Sequence, residues 1–308
     1  MSFQPPSLGV AAALGMNGNT SLTTGAAVAE AYEFLNCQLA VDQPVIVTEG
    51  MRGTRMHPQE RTRSGLITPS GTLTLQPSHS DLSNLMPRIV SPVTGNNYTV
   101  ADSNLPPYFQ AVVDYVAKVF TFIGCKTARA RFHGSAGQNL GLDLDIEAIT
   151  YSIGNSGTFG NTTVAASAPY VFYDGTLTIN NTTYQVIDWE TIIDWHLLTD
   201  RFLNSQTRSD LPSTDLTVST RMTLPWNSDT VSLYNGNGSV AGSVAGQSAN
   251  IVFAYSGTNG GNCTFTYQNL IFPANKSPTV GAKTEIGLAL SAQSRSVAGA
   301  APLVVTIN

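Results

Sequence analysis

The strongest constraint on this chain is that its second half echoes its first. Thr62-Arg63-Ser64-Gly65 has a counterpart in Thr207-Arg208-Ser209-Asp210. Thr74-Leu75, followed by Ser80-Asp81-Leu82-Ser83-Asn84-Leu85, is matched by Thr223-Leu224, followed by Ser228-Asp229-Thr230-Val231-Ser232-Leu233. Gly124-Cys125 with Phe132 downstream resembles Asn262-Cys263 with Phe272 downstream. The partners stand about 145 residues apart and keep the same order, which chance matches rarely do. The fold must therefore accommodate one unit twice. A small, polar, glycine-rich stretch at 154–161 marks the midpoint and reads as a linker. The expected division is a first unit at 1–155, a linker at 156–168 and a second unit at 169–308. A chain of 308 residues has room for two such units.

Composition decides the kind of unit. Charged residues are only 11% of the chain, and Thr, Ser, Asn and Gly take their place, favouring strands and turns over exposed helix faces. That excludes a coiled coil, a helical repeat array and a charged disordered chain. With Lys+Arg 15 and Asp+Glu 20, the net charge of −5 leaves no surplus cation to hold DNA by its phosphates. So little charge also points to a surface that meets other subunits. The first residues lack a basic leader region, and no apolar run approaches the roughly 18 residues of a membrane span. No membrane anchor is expected. Cys37, Cys125 and Cys263 are odd in number and far apart, which fits free thiols in a reducing cytosol better than a disulfide framework.

Alternation supplies the strands. ANIVFAY and CTFTYQNLIF flank a glycine turn as a hairpin, and by the repeat YFQAVVDYVAKVFTFI at 108–123 does the same. Leu177 and Ile179 share one side of 175–179, and Leu142, Leu144, Ile146 and Ala148 share one side of 142–149. Each half offers one short helix, SDLSNLM at 80–86 and SDTVSLY at 228–234, opening on Ser-Asp. The fold class is mainly β, two tandem duplicated sandwich or half-barrel domains, each with one short flanking helix.

The densest polar cluster, DWETIIDWHLLTD, carries Asp188, Glu190, Asp194, His196 and Asp200. Three carboxylates near a histidine fit acid–base work or a metal site. As a strand, however, it places Trp189, Ile193, Trp195 and Leu197 on one face and spreads the acids along the other. Asp143, Asp145 and Glu147 form a second stripe of the same kind. His57, His79, His133 and His196 show no metal-ligand spacing, and neither a nucleophile elbow nor a phosphate loop is present. An enzyme is not expected, nor a cofactor. Two polar loops occupy the same relative place in each half: 49–65 with Arg52, Arg55, Arg61 and Arg63, and 200–215 with Arg201 and Arg208. Arginine in so lightly charged a chain reads as an intersubunit clasp or as a solvated loop.

Several stretches resemble tail tube proteins of long-tailed phages. They are Pro107-Tyr108-Phe109, Val113-Asp114, Ala117-Lys118-Val119-Phe120-Thr121-Phe122 and Gly124-Cys125-Lys126, then YVFYDGTLTI at 170–179, RFLNSQTRSDLPSTD before TVSTRMTLP, and FPANKSPTVGAKTEIGLAL. The resemblance implies a sandwich or half-barrel flanked by a helix and rings stacked into a tube that conducts DNA without specific binding. A two-domain member would form trimeric rings that mimic a hexamer. The implied partners are other copies of the chain, the tape-measure, terminator and tail-tip proteins, and a tail without a sheath. The implied location is the virion tail, with the host cytoplasm during assembly. On this reading Asp143, Asp145 and Glu147 line the bore, with Glu285 in the equivalent place and Asp188, Glu190 and Asp194 as a second wall stripe. The arginine loops would make ring-to-ring or subunit contacts. The stretch 235–248 reads as a Gly/Ser-rich insert without a role. The rival reading is a decoration or carbohydrate-binding module, with a two-carboxylate glycosidase a distant third.

Overall fold

A computed structural model describes residues 11–18, 22, 24, 28, 30–47, 50, 56, 59–91, 95–155, 159, 163–202, 204–234, 246–257, 259–272 and 286–308. In chain order the first half holds β1 (Ala13–Gly18), β2 (Glu30–Tyr32), β3 (Asn36–Cys37), β4 (Ala40–Asp42), β5 (Val45–Val47), β6 (Thr62–Ser64), β7 (Thr68–Leu75), α1 (His79–Ile89), β8 (Asn97–Val100), β9 (Phe109–Asp114), β10 (Lys118–Ser135), β11 (Gly141–Glu147) and β12 (Thr150–Asn155). The second half holds β13 (Gly175–Ile179), β14 (Thr182–Tyr184), β15 (Asp188–Asp194), β16 (Thr217–Pro225), α2 (Val231–Tyr234), β17 (Gln247–Tyr255), β18 (Gly261–Ile271), β19 (Gly287–Ser294) and β20 (Leu303–Ile307). The protein is mainly β and every strand ladder is antiparallel.

The pairing of the first half recurs in the second. One layer runs β2-β1-β9-β10-β12, and its counterpart runs β14-β13-β17-β18-β20. The other layer runs from β3 and β4 through β7 and β11 to β10, and its counterpart is β15-β16-β19-β18. Register recurs too. Leu75 faces Leu142 as Leu224 faces Leu288. Phe122 faces Ala111 and Tyr151 as Tyr267 faces Ala249 and Leu303. This register corrects one echo: Leu270, not Cys263, occupies the place of Cys125. It also revises the stretch 235–248, since the first-half connection from α1 to β9 is the longer one and contains β8. Residues 235–245 themselves lie outside the described residues.

β10 is the strand that joins everything. Its 18 residues serve the first layer up to Cys125 and the second layer from Lys126 onward. The crossing falls where the register slips between Phe122 and Cys125. There Gly124 holds φ at 66°, a left-handed conformation that costs glycine little. Beyond it, β10 pairs on one edge with β11 and on the other with β15, from Arg129↔Asp194 to Ser135↔Asp188. A second seam pairs β20 with β8. The halves therefore share one hydrophobic core. Phe132 packs edge-on against Phe265 at 5.0 Å, and Trp189 lies 5.1 Å from Phe265 and 5.6 Å from Phe253. Thr191, Thr220 and Tyr267, buried in that core, satisfy one another by hydrogen bonds across the layers.

α1 starts ahead of Ser80-Asp81, at His79, whereas α2 starts behind Ser228-Asp229, at Val231. Ser78 caps α1 in a capping box with Asp81, its hydroxyl accepting from the Asp81 amide and its own amide donating to the Asp81 carboxylate. Asn227 and Thr230 repeat this reciprocal pair ahead of α2. α1 has 11 residues and α2 only four. Pro87 removes the amide that would bond the Ser83 carbonyl, and the Tyr98 hydroxyl donates to that carbonyl instead. Sequence patterns placed the hairpins, the buried faces of β11 and β13, and the inward Trp189, Ile193 and Trp195 correctly.

Gly124 supplies the test of this architecture. A Cβ there would lie 3.0–3.1 Å from Ile149 on a backbone that L-residues avoid. Gly124→Ala should lower the urea unfolding free energy by about 1–2 kcal/mol. An unchanged midpoint and slope would contradict the crossing role.

Candidate assembly surfaces

Alternation gives the six strands β7, β11, β10, β15, β16 and β19 a core face and a polar face. The two acidic stripes of the sequence meet on this one polar face, because β11 and β15 flank β10 on either edge. Between them stand Arg129 and Arg131, which sequence reasoning missed. The signal was present in Ala128-Arg129-Ala130-Arg131-Phe132, where charge alternates with apolar residues. Arg131 reaches Asp143 at 3.0 Å and Glu190 at 2.5 Å, and Arg129 reaches Asp145 at 2.7 Å. Thr72 also donates to Asp145. Asp194 accepts from the His196 amide, and Asp188 is exposed. On the second-half strands the same face carries Arg221, Ala289, Ser291 and Gln293. Six carboxylates thus share the face with three arginines, and the acids cluster on β11 and β15, the two neighbours of β10.

Asp143 is the most constrained acid. Its carboxyl is pulled down to about 2, first by its hydrogen bond with His133 and then by those with Thr74 and Arg131, against the opposing effect of burial. Gly141 leaves the room: a Cβ there would collide with the His133 ring.

Loop 200–215 is a clasp between halves. Arg208 is buried, and its guanidinium donates to Glu147 at 2.6 Å and to the Ala148 carbonyl at 3.1 Å. Lys126 donates to the Leu211 carbonyl at 2.8 Å and lies 4.2 Å over the Tyr108 ring. Burial pulls the Lys126 ammonium below its ordinary value. Tyr108 donates to Asp210, which holds that carboxyl down, while burial first and this bond second push the phenol up to about 12. Gln206 bonds the Ser64 and Ile67 backbones. Arg208 and Glu147 therefore meet each other, while Arg201 sits beside Asp200 at the exposed surface.

The counterpart loop forms the separate two-stranded hairpin of β5 and β6. Val45, Ile46 and Val47 are exposed along it, as is Arg63. Arg61 closes the turn of helix just before β6. Arg52 and Arg55 lie outside the described residues, and so does Glu285. Among the described residues no group of three His, Cys, Asp or Glu side chains is placed to hold a metal, and no helix is long and apolar enough to cross a membrane. Cys125 and Cys263 are buried, and burial pushes the Cys125 thiol up to about 12.

A mainly β chain with a broad polar sheet face, an apolar hairpin and an internal clasp has the features of a building block. The model of the phage tail tube protein family matches residues 7–296, and the chain belongs to that family of structural proteins of the virion tail. No curated protein matches it.

The folded Asp143 value lies below its unfolded value of 3.8, so the stabilisation is full above about pH 4 and fades as pH falls through about 2. Its partial exposure discounts the effect to about 1 kcal/mol. Asp143→Asn should lose that much stability at pH 7 in urea titrations, and its curve should converge on the parent's by pH 2. A constant offset between pH 7 and pH 2 would contradict the assignment.

Proposed function

We propose that this chain builds the wall of the phage tail tube as trimeric rings, each chain supplying two copies of one sandwich domain, at 1–155 and 169–308. The recurrence of the strand order carries this reading, because three chains then present six similar sectors, and it rests on family membership for the tube itself. The polar sheet face is the bore wall, with Asp143, Asp145, Glu147, Asp188, Glu190 and Asp194 on it. DNA slides past a face whose arginines are already paired with carboxylates and whose net charge repels phosphate. At physiological salt such repulsion acts over about 8 Å, so the charge belongs on the wall itself. The chain works without catalysis or a cofactor, alongside tape-measure, terminator and tail-tip proteins, and it assembles in the host cytoplasm.

The hairpin of β5 and β6 is the ring-to-ring arm. Its exposed Val45, Ile46 and Val47 give the apolar contact, and Arg52, Arg55, Arg61 and Arg63 give the polar one. Replacing the four arginines by Ala should leave single rings that fail to stack in electron micrographs. Tubes of normal length would contradict the arm.

The bore is tested by adding positive charge where no ion pair is broken. Phage carrying Asp188→Lys, Ala289→Lys and Ser291→Lys should assemble tails of normal length and eject DNA at least about tenfold more slowly at low salt, with recovery as salt rises. Normal ejection at low salt would contradict the placement of this face.

A further inference from the structure

The recurrence of the fold is incomplete in one respect. Among the described residues the open end of the second sandwich is covered, and that of the first is not. In the second half Ile193, Phe265, Leu303 and Val305 are all buried. The cover comes from the first half: α1 packs against β18 and β20, and β8 pairs with β20, burying Tyr98 and Val100. His79 lies 3.1 Å from the Asn308 carbonyl at the end of this contact.

The corresponding first-half positions, by register, are Val41, Phe120, Tyr151 and Ile153. They are only partly buried, and Ile153 is 53% exposed against 0% for Val305. Together with Tyr115 they line an open apolar cleft of about 500 Å³. β12, which carries Tyr151 and Ile153, pairs with β10 on one edge and, unlike its counterpart β20, has no described strand on the other. The unused cover lies elsewhere on the chain. The capping pairs Ser78–Asp81 and Asn227–Thr230 align the two helices and put Val231 in the place of Leu82. Leu82 is fully buried, whereas Val231 is 44% exposed. One molecule therefore displays both an uncovered mouth and an unused lid, on different halves.

We propose that the α2 region of one chain closes the mouth of the first sandwich of the next chain, with Val231 of one copy against Tyr151 and Ile153 of the other. The contact repeats between chains what α1 does within each chain. Because lid and mouth are different surfaces, the contact is head to tail, the kind that closes into rings. This rests on the self-assembly in the proposed function and names the surfaces that carry it.

Val231→Asp spoils only the lid and Ile153→Asp only the mouth. Both side chains are exposed in the single chain, so circular dichroism and melting temperature should match the parent. Sedimentation should show each variant alone as a monomer, needing at least about 100-fold more protein than the parent to assemble. Mixed one to one, they should form a heterodimer and nothing larger, because one intact lid meets one intact mouth. If either variant assembles like the parent, or both are blocked and the mixture stays monomeric, this contact is wrong while the tube reading stands. A parent that stays monomeric at every concentration and forms no rings overturns the tube reading itself.

Discussion

The structure depends on the crossing of β10 between layers. One strand leaves the first sheet at Gly124, enters the second, and there holds β11 on one edge and β15 on the other. Its side chains alternate between a shared core and the polar face, so Ala130 and Phe132 are buried while Arg129 and Arg131 stand between two rows of acids. Core, seam and charged face are three consequences of one extended segment. Because a strand has period two, a slip of one residue would exchange Phe132 for Arg131 in the core.

Much of this was legible beforehand, for identifiable reasons. Trp189, Ile193 and Trp195 alternate with acids, and half-buried strands leave that mark. The hairpin of β17 and β18 announced itself by its glycine turn, and that of β9 and β10 by the repeat. The helix starts were misplaced because Ser80-Asp81 and Ser228-Asp229 offered an obvious cap, whereas α1 is capped by Ser78 and Asn227 pairs with Thr230 in a turn ahead of α2. The cysteine echo misled because residue identity was matched where only strand register is common to the halves. Glycine and serine at 235–248 looked inserted for a similar reason: nothing local shows that the longer connection belongs to the first half.

The candidate site was legible in its acids and not in its arginines. Asp143, Asp145 and Glu147 form an isolated stripe in the sequence, and Asp188, Glu190 and Asp194 another, about 45 residues away. Only the pairing of β10 with both neighbours brings them to one face and inserts Arg129 and Arg131 between them. The charge of this face is therefore a balance. Likewise Arg208 looked like part of an exposed loop, yet its charge is satisfied internally by Glu147 and the Ala148 carbonyl. That clasp fixes how the two halves sit.

The central claim is that each chain supplies two equivalent sectors around a bore lined by one polar sheet face. A reconstruction of the assembled tube by electron cryomicroscopy tests this most directly. The account predicts three chains and six similar sandwich sectors per ring, with β11, β10 and β15 facing the channel. Six chains per ring, or this face on the outer surface, would contradict it.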